Sequence, residues 1–369
     1  MPQLKVINKK EDYTVLPGQD DLGNHIFSVL VKRTYSIKNG KQAKRETKTF
    51  PLVQIDEYYE NGDPEYASVK YENDLYPFKK KTDVIFIGKV YAPNHTPVQE
   101  LDILINVEEF KKKVKVFGDR YCIHRKKCSP LFTEPEEFIS MDVQYEGAFG
   151  GRDELSDPEV PFFYPRNTIG KGVAVKNIKE VIDGLPLPNF EDPGYLLEPE
   201  GLILEKPENW SDMPLPQGFG YFQRTWYPRS SFAGTIPGYV TTDQKFQEEE
   251  YGYIPQNQIA LARQFKLPAY DFSFHNGASL GMTFPYLKGG EKIFLHNLCN
   301  EGDFIFALPN DIPKIILDIG LGENLLQSKL YTVCIRMEDR QVDLVWCGSQ
   351  IYPGIEWLAH MSNLKVEIQ

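Results

Sequence analysis

Apolar residues recur at every second position in several segments of the chain, which is the period of a β-strand with one buried face. The period runs through residues 27–37 and again through 101–107. Residues 84–87 form an unbroken apolar run, as expected of a strand that is buried on both faces. These patterns predict that the first part of the chain is built from β-strands.

Turn signals indicate where the predicted strands reverse direction. Residues 331–337 and 342–346 alternate on either side of the polar segment 338–341, and this arrangement predicts the clearest hairpin in the chain. Asn39-Gly40 and Asn61-Gly62 are dipeptides typical of tight hairpin turns. Strands are therefore expected near both ends of the chain.

The segment 141–151 is the most informative stretch of the sequence. Residues 141–146 alternate as a strand does, and the strand then breaks into Gly147-Ala148-Phe149-Gly150-Gly151. Because glycine permits backbone angles that a side chain forbids, this pattern predicts a strand that ends in a specific, forced geometry. It contains no nucleophile, metal ligand or phosphate cradle, which favours a shaped binding or structural element.

The middle of the chain differs from both ends in amino-acid composition. Residues 152–253 are rich in proline, glycine and aromatic residues, so central strands are unlikely there, yet the aromatic content argues for order. One short helix is predicted at 257–265. We expect a mostly β protein with few short helices. Two β-rich, sandwich-like portions, 1–151 and 254–369, are expected to be joined by an ordered irregular layer at 152–253 into one compact body.

Composition and charge narrow the possible classes. The chain has 369 residues, with 41 basic and 52 acidic residues and a formal charge of −11. An acidic chain is a poor ligand for phosphate backbones, so no nucleic-acid partner is expected, whereas an acidic surface favours basic partners. No segment approaches the roughly 20 apolar residues of a membrane span, and the five cysteines form no disulfide framework. These observations, with the absence of a signal peptide, predict a cytoplasmic protein.

Several short motifs suggest chemistry, but each lacks part of its required context. Gly277-Ala278-Ser279-Leu280-Gly281 has the spacing of a hydrolase nucleophile elbow, but Pro285 interrupts the helix that the elbow needs. Cys122, His124 and Cys128 could provide three zinc ligands, but no second close pair completes a site. Residues 170–172 and 218–220 resemble nucleotide loops only in their glycines and are expected to be turns. We therefore predict no catalytic residue, metal or cofactor.

Three residues are predicted to contact a partner. Trp226 and Arg229 are separated by Tyr227-Pro228, and both residue types dominate binding hot spots. Phe149 is the single large side chain of the glycine-rich segment. For the Trp226–Arg229 segment the alternative is an interior tryptophan with a locally paired arginine.

Several segments, taken in order, resemble a known family. They are Pro77-Phe78-Lys79, Thr82-Asp83-Val84, Tyr91-Ala92-Pro93, Phe117-Gly118-Asp119-Arg120, Ala148-Phe149-Gly150-Gly151, Gly170-Lys171-Gly172, Leu187-Pro188-Asn189, Glu191-Asp192-Pro193, Trp226-Tyr227-Pro228-Arg229, Gly234-Thr235 and Leu344-Val345-Trp346. The set is similar to a bacterial family known as a domain of unknown function (number 2169), which is found beside type VI secretion genes. The similarity covers most of the chain.

The resemblance implies a non-enzymatic adaptor or chaperone that helps to load a toxic effector onto the secreted spike. The expected partners are the effector toxin, the proline-alanine-alanine-arginine repeat (PAAR-type) protein at the spike tip, or both. Since no catalytic residues belong to the family, none is carried over. Two alternatives remain at this point, namely a serine hydrolase that uses Ser279 and a structural component of the secretion apparatus.

Overall fold

The structure is a computed structural model, and it describes residues 5–6, 12–124, 129–176, 179–203, 214–233, 271–320, 322–352 and 365–369. The predicted helix at 257–265 lies outside the described residues. Within them, the protein is mostly β, as the alternating pattern predicts. No helix in the described ranges is both long and apolar enough to cross a membrane.

Strands account for most of the described elements. The first thirteen are β1 (Lys5–Val6), β2 (Asp12–Gln19), β3 (His25–Ser36), β4 (Lys41–Gln42), β5 (Lys44–Arg45), β6 (Glu57–Tyr58), β7 (Val69–Tyr71), β8 (Thr82–Ile87), β9 (Lys89–Tyr91), β10 (Glu100–Val107), β11 (Phe110–Phe117), β12 (Cys122–Ile123) and β13 (Leu131–Phe132). The remainder are β14 (Ser140–Asp142), β15 (Phe149–Gly150), β16 (Arg152–Asp153), β17 (Phe162–Phe163), β18 (Lys171–Gly172), β19 (Phe190–Glu191), β20 (Thr283–Phe284), β21 (Lys292–His296), β22 (Phe304–Ala307), β23 (Ile315–Asp318), β24 (Glu323–Leu326), β25 (Lys329–Arg336), β26 (Gln341–Ile351) and β27 (Lys365–Ile368).

In the part of the chain that the structure describes, helical segments are short. One turn of α-helix, α1, spans Lys179–Ile182. The 3₁₀ turns are Tyr59–Asn61, Pro93–His95, Tyr145–Gly147, Pro199–Gly201, Arg229–Ala233 and Phe272–His275. The abundance of proline and glycine between the strands is consistent with such short helices, because both residues destabilise helix interiors.

The largest sheet has the strand order β2-β3-β26-β25-β8-β20, with β5 added to β3. The predicted hairpin is confirmed: β25 and β26 pair antiparallel, with Arg336 opposite Gln341. On its other side, β25 pairs in parallel with β8, which is distant in the chain. Every residue of β8 is buried, as its unbroken apolar run predicts. This sheet therefore combines strands from both ends of the sequence.

A second sheet has the order β19-β11-β10-β21-β22-β4. The inward residues of β10, such as Ile103 and Ile105, share one apolar core with Phe86 of β8 and Trp346 of β26. A four-stranded sheet, in the order β1-β27-β23-β24, packs Ile315 and its neighbours against β3 in a separate core. The alternating strands thus bury their apolar faces against one another, which is the main source of stabilisation in sheet-on-sheet packing.

Three local predictions differ from the structure. The strand predicted over 141–146 ends with β14 at Asp142, and the 3₁₀ turn Tyr145–Gly147 follows, where the Tyr145 ring packs against Phe222 and Trp226. Residues 170–172 are not simply a turn, since β18 pairs in parallel with β15. Asn39-Gly40 does form a turn, but β4 after it pairs with β22, and only β5 returns to β3.

Candidate functional site

The glycine-rich segment forms a tight junction between two parts of the backbone. Gly150 and Gly151 have φ angles of +152° and +103°, which side chains rarely adopt. A β-carbon on Gly150 would lie 2.2 Å from the carbonyl oxygen of Asn167, and one on Gly151 would lie 2.4 Å from that of Gly170. The forced geometry that the sequence predicts is therefore confirmed, and both glycines allow a close approach of backbones.

Hydrogen bonds hold this junction. The amide of Lys171 donates to the carbonyl of Ala148 at 3.0 Å, and the amide of Gly151 donates to that of Asn167 at 2.8 Å. The buried Asn167 side chain also donates to the carbonyl groups of Tyr145 and Phe149, at 2.8 and 3.2 Å. Because these backbone groups are paired, the residue that follows Gly151 leaves the junction in a defined direction.

That residue is Arg152, whose guanidinium group lies over two exposed aromatic rings. Its central carbon is 4.4 Å from the ring centroid of Tyr66 and 5.2 Å from that of Phe163. It also donates to the carbonyl of Glu65 at 2.8 Å and lies 3.6 Å from the carboxylate of Glu154. Tyr66 is 62% exposed and Phe163 is 46% exposed, so large parts of both rings face solvent.

We call Arg152 and the exposed residues of 63–66 and 154–163 the Arg152 surface, since this arginine contacts both segments. Besides the two rings, the second segment exposes Leu155 and Val160 between β16 and β17. The β16–β17 ladder pairs Arg152 with Phe163, which places the arginine and one of its rings on adjacent strands. The surface therefore combines large apolar side chains with a planar cation on a hydrogen-bonded support.

Phe149, which the sequence analysis predicts to contact a partner, has a buried side chain. It packs edge-on against Tyr164, with the ring centroids 5.1 Å apart, in a core that includes Cys122 and Leu187. The ring therefore anchors the glycine junction from inside. Contact of Phe149 with a partner stays a prediction.

Trp226 is also interior, with 0% of its surface exposed. Its ring packs edge-on against Tyr145 at 5.2 Å and against Phe222 at 5.3 Å between centroids. The indole Nε1–H donates to the hydroxyl of Thr168 at 3.4 Å. This geometry corresponds to the interior alternative for the Trp226–Arg229 segment.

Arg229 is buried and paired locally. Its Nη2 donates to Glu72 Oε1 at 2.6 Å, and its Nη1 donates to the carbonyl of Phe222 at 2.6 Å. Burial acts to raise the pKa of the Glu72 carboxyl, but the nearby cations, Arg229 first among them, reverse this and hold the pKa below its usual value. The pair therefore remains ionised and supports the region from within, because a buried charge is stable only when paired.

A cavity of about 230 Å³ lies beside this pair. Arg224 lines it, donates from Nε to Glu72 at 2.8 Å and forms an ion pair with Asp56. The arginines and Tyr76 all donate to Oε1 of Glu72, whereas its Oε2 is buried without a hydrogen-bond partner in the described residues. Two arginines and two carboxylates line the cavity, so their formal charges balance.

Ser279 lies in the interior, with 1% of its surface exposed. The 3₁₀ turn Phe272–His275 precedes it and β20 follows it, so the strand–turn–helix context of a nucleophile elbow is not formed around it. Its hydroxyl donates to the carbonyl of Gly218 at 2.7 Å and accepts from Lys112 Nζ at 3.0 Å. Burial lowers the pKa of the Lys112 amine to about 7, because the amino group is enclosed although part of its side chain is exposed.

Two of the three residues weighed as zinc ligands, Cys122 and His124, are described, and the described residues contain no group of three or more His, Cys, Asp or Glu side chains that could hold a metal ion. Cys122 is buried in an apolar core, and burial raises the pKa of its thiol to about 11. The backbone amide of His124 donates to Asp183, and Cys128 lies outside the described residues.

Residue patterns alone missed Tyr66, Arg152 and Phe163. For Arg152 the sequence offered one indication, namely that it directly follows the glycine pair Gly150-Gly151. Tyr66 was visible only as part of a tyrosine-rich flank of Asn61-Gly62. Nothing local in the sequence indicates that these two residues meet.

Comparison with known proteins gave one family. The family model described as "Uncharacterized protein conserved in bacteria (DUF2169)" matches residues 22–347, which include all of the Arg152 surface. The searches of curated proteins and of solved structures found no match.

Proposed function

This chain belongs to the bacterial family DUF2169, and we propose that it is a non-enzymatic adaptor or chaperone of type VI secretion. It binds an effector toxin, the PAAR-type protein of the spike tip, or both, in the cytoplasm before export. The ordered motifs in the sequence support this role by resemblance. The Arg152 surface is the observation that carries the proposal for this particular chain.

The chemistry of that surface suits protein recognition. Tyrosine and arginine are enriched among the residues that contribute most to protein–protein binding. In Tyr66, Arg152 and Phe163, stacking restricts side chains that would otherwise lose freedom on binding. Because immobilising such side chains costs about 0.5–1.5 kcal/mol each, prior ordering favours association.

The support beneath the surface is equally ordered. The paired glycines, Asn167 and the buried Phe149 ring hold the backbone on which Arg152 is mounted. An adaptor must present its contacts to the client without rearranging, since each rearrangement reduces the free energy left for binding. A rigid junction next to an exposed aromatic pair meets this need.

The test is co-purification followed by secretion. The tagged full chain is expressed with the products of neighbouring type VI genes, and we expect an effector or tip protein to co-purify. We also expect that client to be soluble and secreted only when this protein is present. If the client is equally soluble and equally secreted without it, the proposal is wrong.

A matched pair of variants links the function to the surface. Tyr66→Ala combined with Phe163→Ala removes both rings, and we expect it to abolish co-purification and secretion of the client. Phe110→Ala removes a ring of comparable exposure, 53%, from the start of β11 and should behave as the wild type. Folding of each variant is checked by its urea midpoint.

One observation favours a second candidate, a hydrolase in which Ser279 is the nucleophile and Lys112 the base. The 3.0 Å contact and the lowered amine pKa are features of serine–lysine catalytic pairs. Against this, the serine is enclosed and donates its proton to a carbonyl. A fluorophosphonate probe should label the wild type and not the Ser279→Ala protein if the hydrolase exists, and an unlabelled wild type rejects it.

A further inference from the structure

The Arg152 surface carries more carboxylates than cations. Its five exposed acidic residues are Asp63, Glu65, Glu154, Asp157 and Glu159. Two cations donate hydrogen bonds to these segments: Arg152 to the carbonyl of Glu65, and Lys176, whose amino group donates to the carbonyl of Ser156 at 3.0 Å. With five carboxylates against two cations, this surface has a net negative charge, in keeping with the whole chain.

Most of these carboxylates have unused capacity to bind a cation. Only Glu154 forms an ion pair among the described residues, with Arg152. The side chains of Asp63 and Asp157 each accept one hydrogen bond, from the backbone amide two residues on. An ionised carboxylate can accept about four hydrogen bonds, so these groups can each accept donors from another molecule.

We propose that the Arg152 surface binds a lysine- or arginine-rich segment of a partner protein, one that also carries apolar side chains. This inference rests on the proposed adaptor function, and it names the chemistry of the client segment that the adaptor holds. The partner's basic groups pair with the carboxylates around the surface. Its apolar side chains and the aliphatic stems of its lysines pack on Tyr66 and Phe163.

Charge decides between this occupant and the others. A nucleic acid would bring phosphates toward the carboxylates, which is unfavourable. A second copy of the chain would, in a two-fold dimer, bring the same acidic segment against itself. Basic segments remain, and their association with a negative surface is accelerated by attraction at low salt.

The experiment measures fluorescence anisotropy of labelled peptides with the full chain. The probes are a lysine-rich peptide that contains leucines and a matched peptide in which every lysine is replaced by glutamate. We expect the lysine peptide to bind at least about tenfold more tightly, and to weaken severalfold as salt rises from about 50 to about 200 mM. Equal binding of the two peptides, or no binding of the lysine peptide, overturns the inference.

Two kinds of variant locate the binding. Tyr66→Ala with Phe163→Ala should weaken the lysine peptide about tenfold, and Asp157→Lys with Glu159→Lys should weaken it and reduce its salt dependence. The controls are Phe110→Ala and Glu323→Lys, an exposed charge reversal on β24. If the surface variants bind the peptide as tightly as the controls do, the segment binds elsewhere and the inference is wrong.

The outcomes separate this inference from the proposed function. If the client co-purifies with the wild type but both peptides bind alike, the adaptor role stands and the assignment of its ligand fails. If the peptides discriminate but no client co-purifies, the surface stands and the secretion role fails. Analytical ultracentrifugation tests whether a second copy of the chain occupies the surface. If the wild type is a dimer and the Tyr66→Ala, Phe163→Ala protein is a monomer, the surface binds a second copy and the inference is overturned.

Discussion

Replacing Gly151 by alanine tests whether close backbone approach determines the glycine junction. In the wild type, the amide of Gly151 donates to the carbonyl of Asn167 and its carbonyl accepts from the amide of Tyr164. The new β-carbon would lie 2.4 Å from the carbonyl oxygen of Gly170. Because an ordinary carbon–oxygen contact is about 3.3 Å, the two backbones must separate by about 0.9 Å.

The expected cost has three parts. A side chain at a φ of +103° costs about 1–2 kcal/mol. Overpacking a well-ordered region adds about 1–3 kcal/mol. The neighbouring hydrogen bond, from the amide of Lys171 to the carbonyl of Ala148, is 3.0 Å long in the wild type. Such a bond contributes about 1 kcal/mol to stability, and lengthening it would lose part of that contribution. We expect a total of roughly 2–6 kcal/mol, of which up to about 4 kcal/mol comes from the close approach.

A control variant, Gly302→Ala, separates the cost of close approach from the cost of the backbone angle. Gly302 has a similar φ of +91°, but a β-carbon on it would meet no atom within 4 Å. Gly302→Ala should therefore cost only the backbone term, about 1–2 kcal/mol. Urea unfolding of both variants is followed by the fluorescence of the tryptophans, including the buried Trp226 and Trp346. If Gly151→Ala is no more destabilising than Gly302→Ala, close approach at the junction does not matter and the reasoning is refuted.

Three further predictions concern buried ionisable groups. Arg229→Met leaves the Glu72 carboxylate with one cation fewer, so we expect the free energy of unfolding, measured in urea, to fall by about 3–5 kcal/mol. Because the two residues are paired, the double variant with Glu72→Leu should be destabilised by less than the sum of the two single variants. Strictly additive losses would show that the two side chains are not coupled. Burial lowers the pKa of His275 from 6.5 to about 4, so the unfolded chain binds the extra proton as pH falls from 6.5 to 4. Stability should then fall by up to about 1.4 kcal/mol per pH unit, and His275→Asn should show a shallower dependence; identical slopes would rule this out. The Lys112 amine, with its pKa lowered from 10.5 to about 7, makes the unfolded chain the better proton binder between these values. Stability should therefore rise with pH across that window, whereas Lys112→Met should have a flatter profile, and a wild type without the rise would count against the buried amine.

The strands were largely predictable because their signal is local. Alternation in 101–107 reflects which side of the strand faces a core, and β10 follows that pattern. The strands β25 and β26 were also predicted from alternation in 331–346, but the structure buries both of their faces, because these strands lie inside the largest sheet and contribute to two separate cores. The error over 141–146 arose because the same alternation continues into a 3₁₀ turn. Strand partners were not predictable, since the pairing of β8 with β25 joins segments that are far apart in the chain.

The candidate site divides in the same way. Gly150 and Gly151 could be identified as a forced geometry, because the absence of a side chain is visible in the sequence. Whether an aromatic or an arginine is exposed could not be identified, since that depends on what packs against it. Trp226 and Arg229 have the composition of a hot spot, yet the carboxylate that draws Arg229 inward, Glu72, is distant in the chain.

The order of residues decides where the backbone can alternate, turn or approach another backbone closely, because these properties belong to each residue and its neighbours. The assembled sheets decide which side chains meet and which of them remain in water. Arg152 lies over Tyr66 and Phe163 only because separate segments converge at the glycine junction. Contacts of this kind depend on distances that folding creates, and no local pattern specifies them.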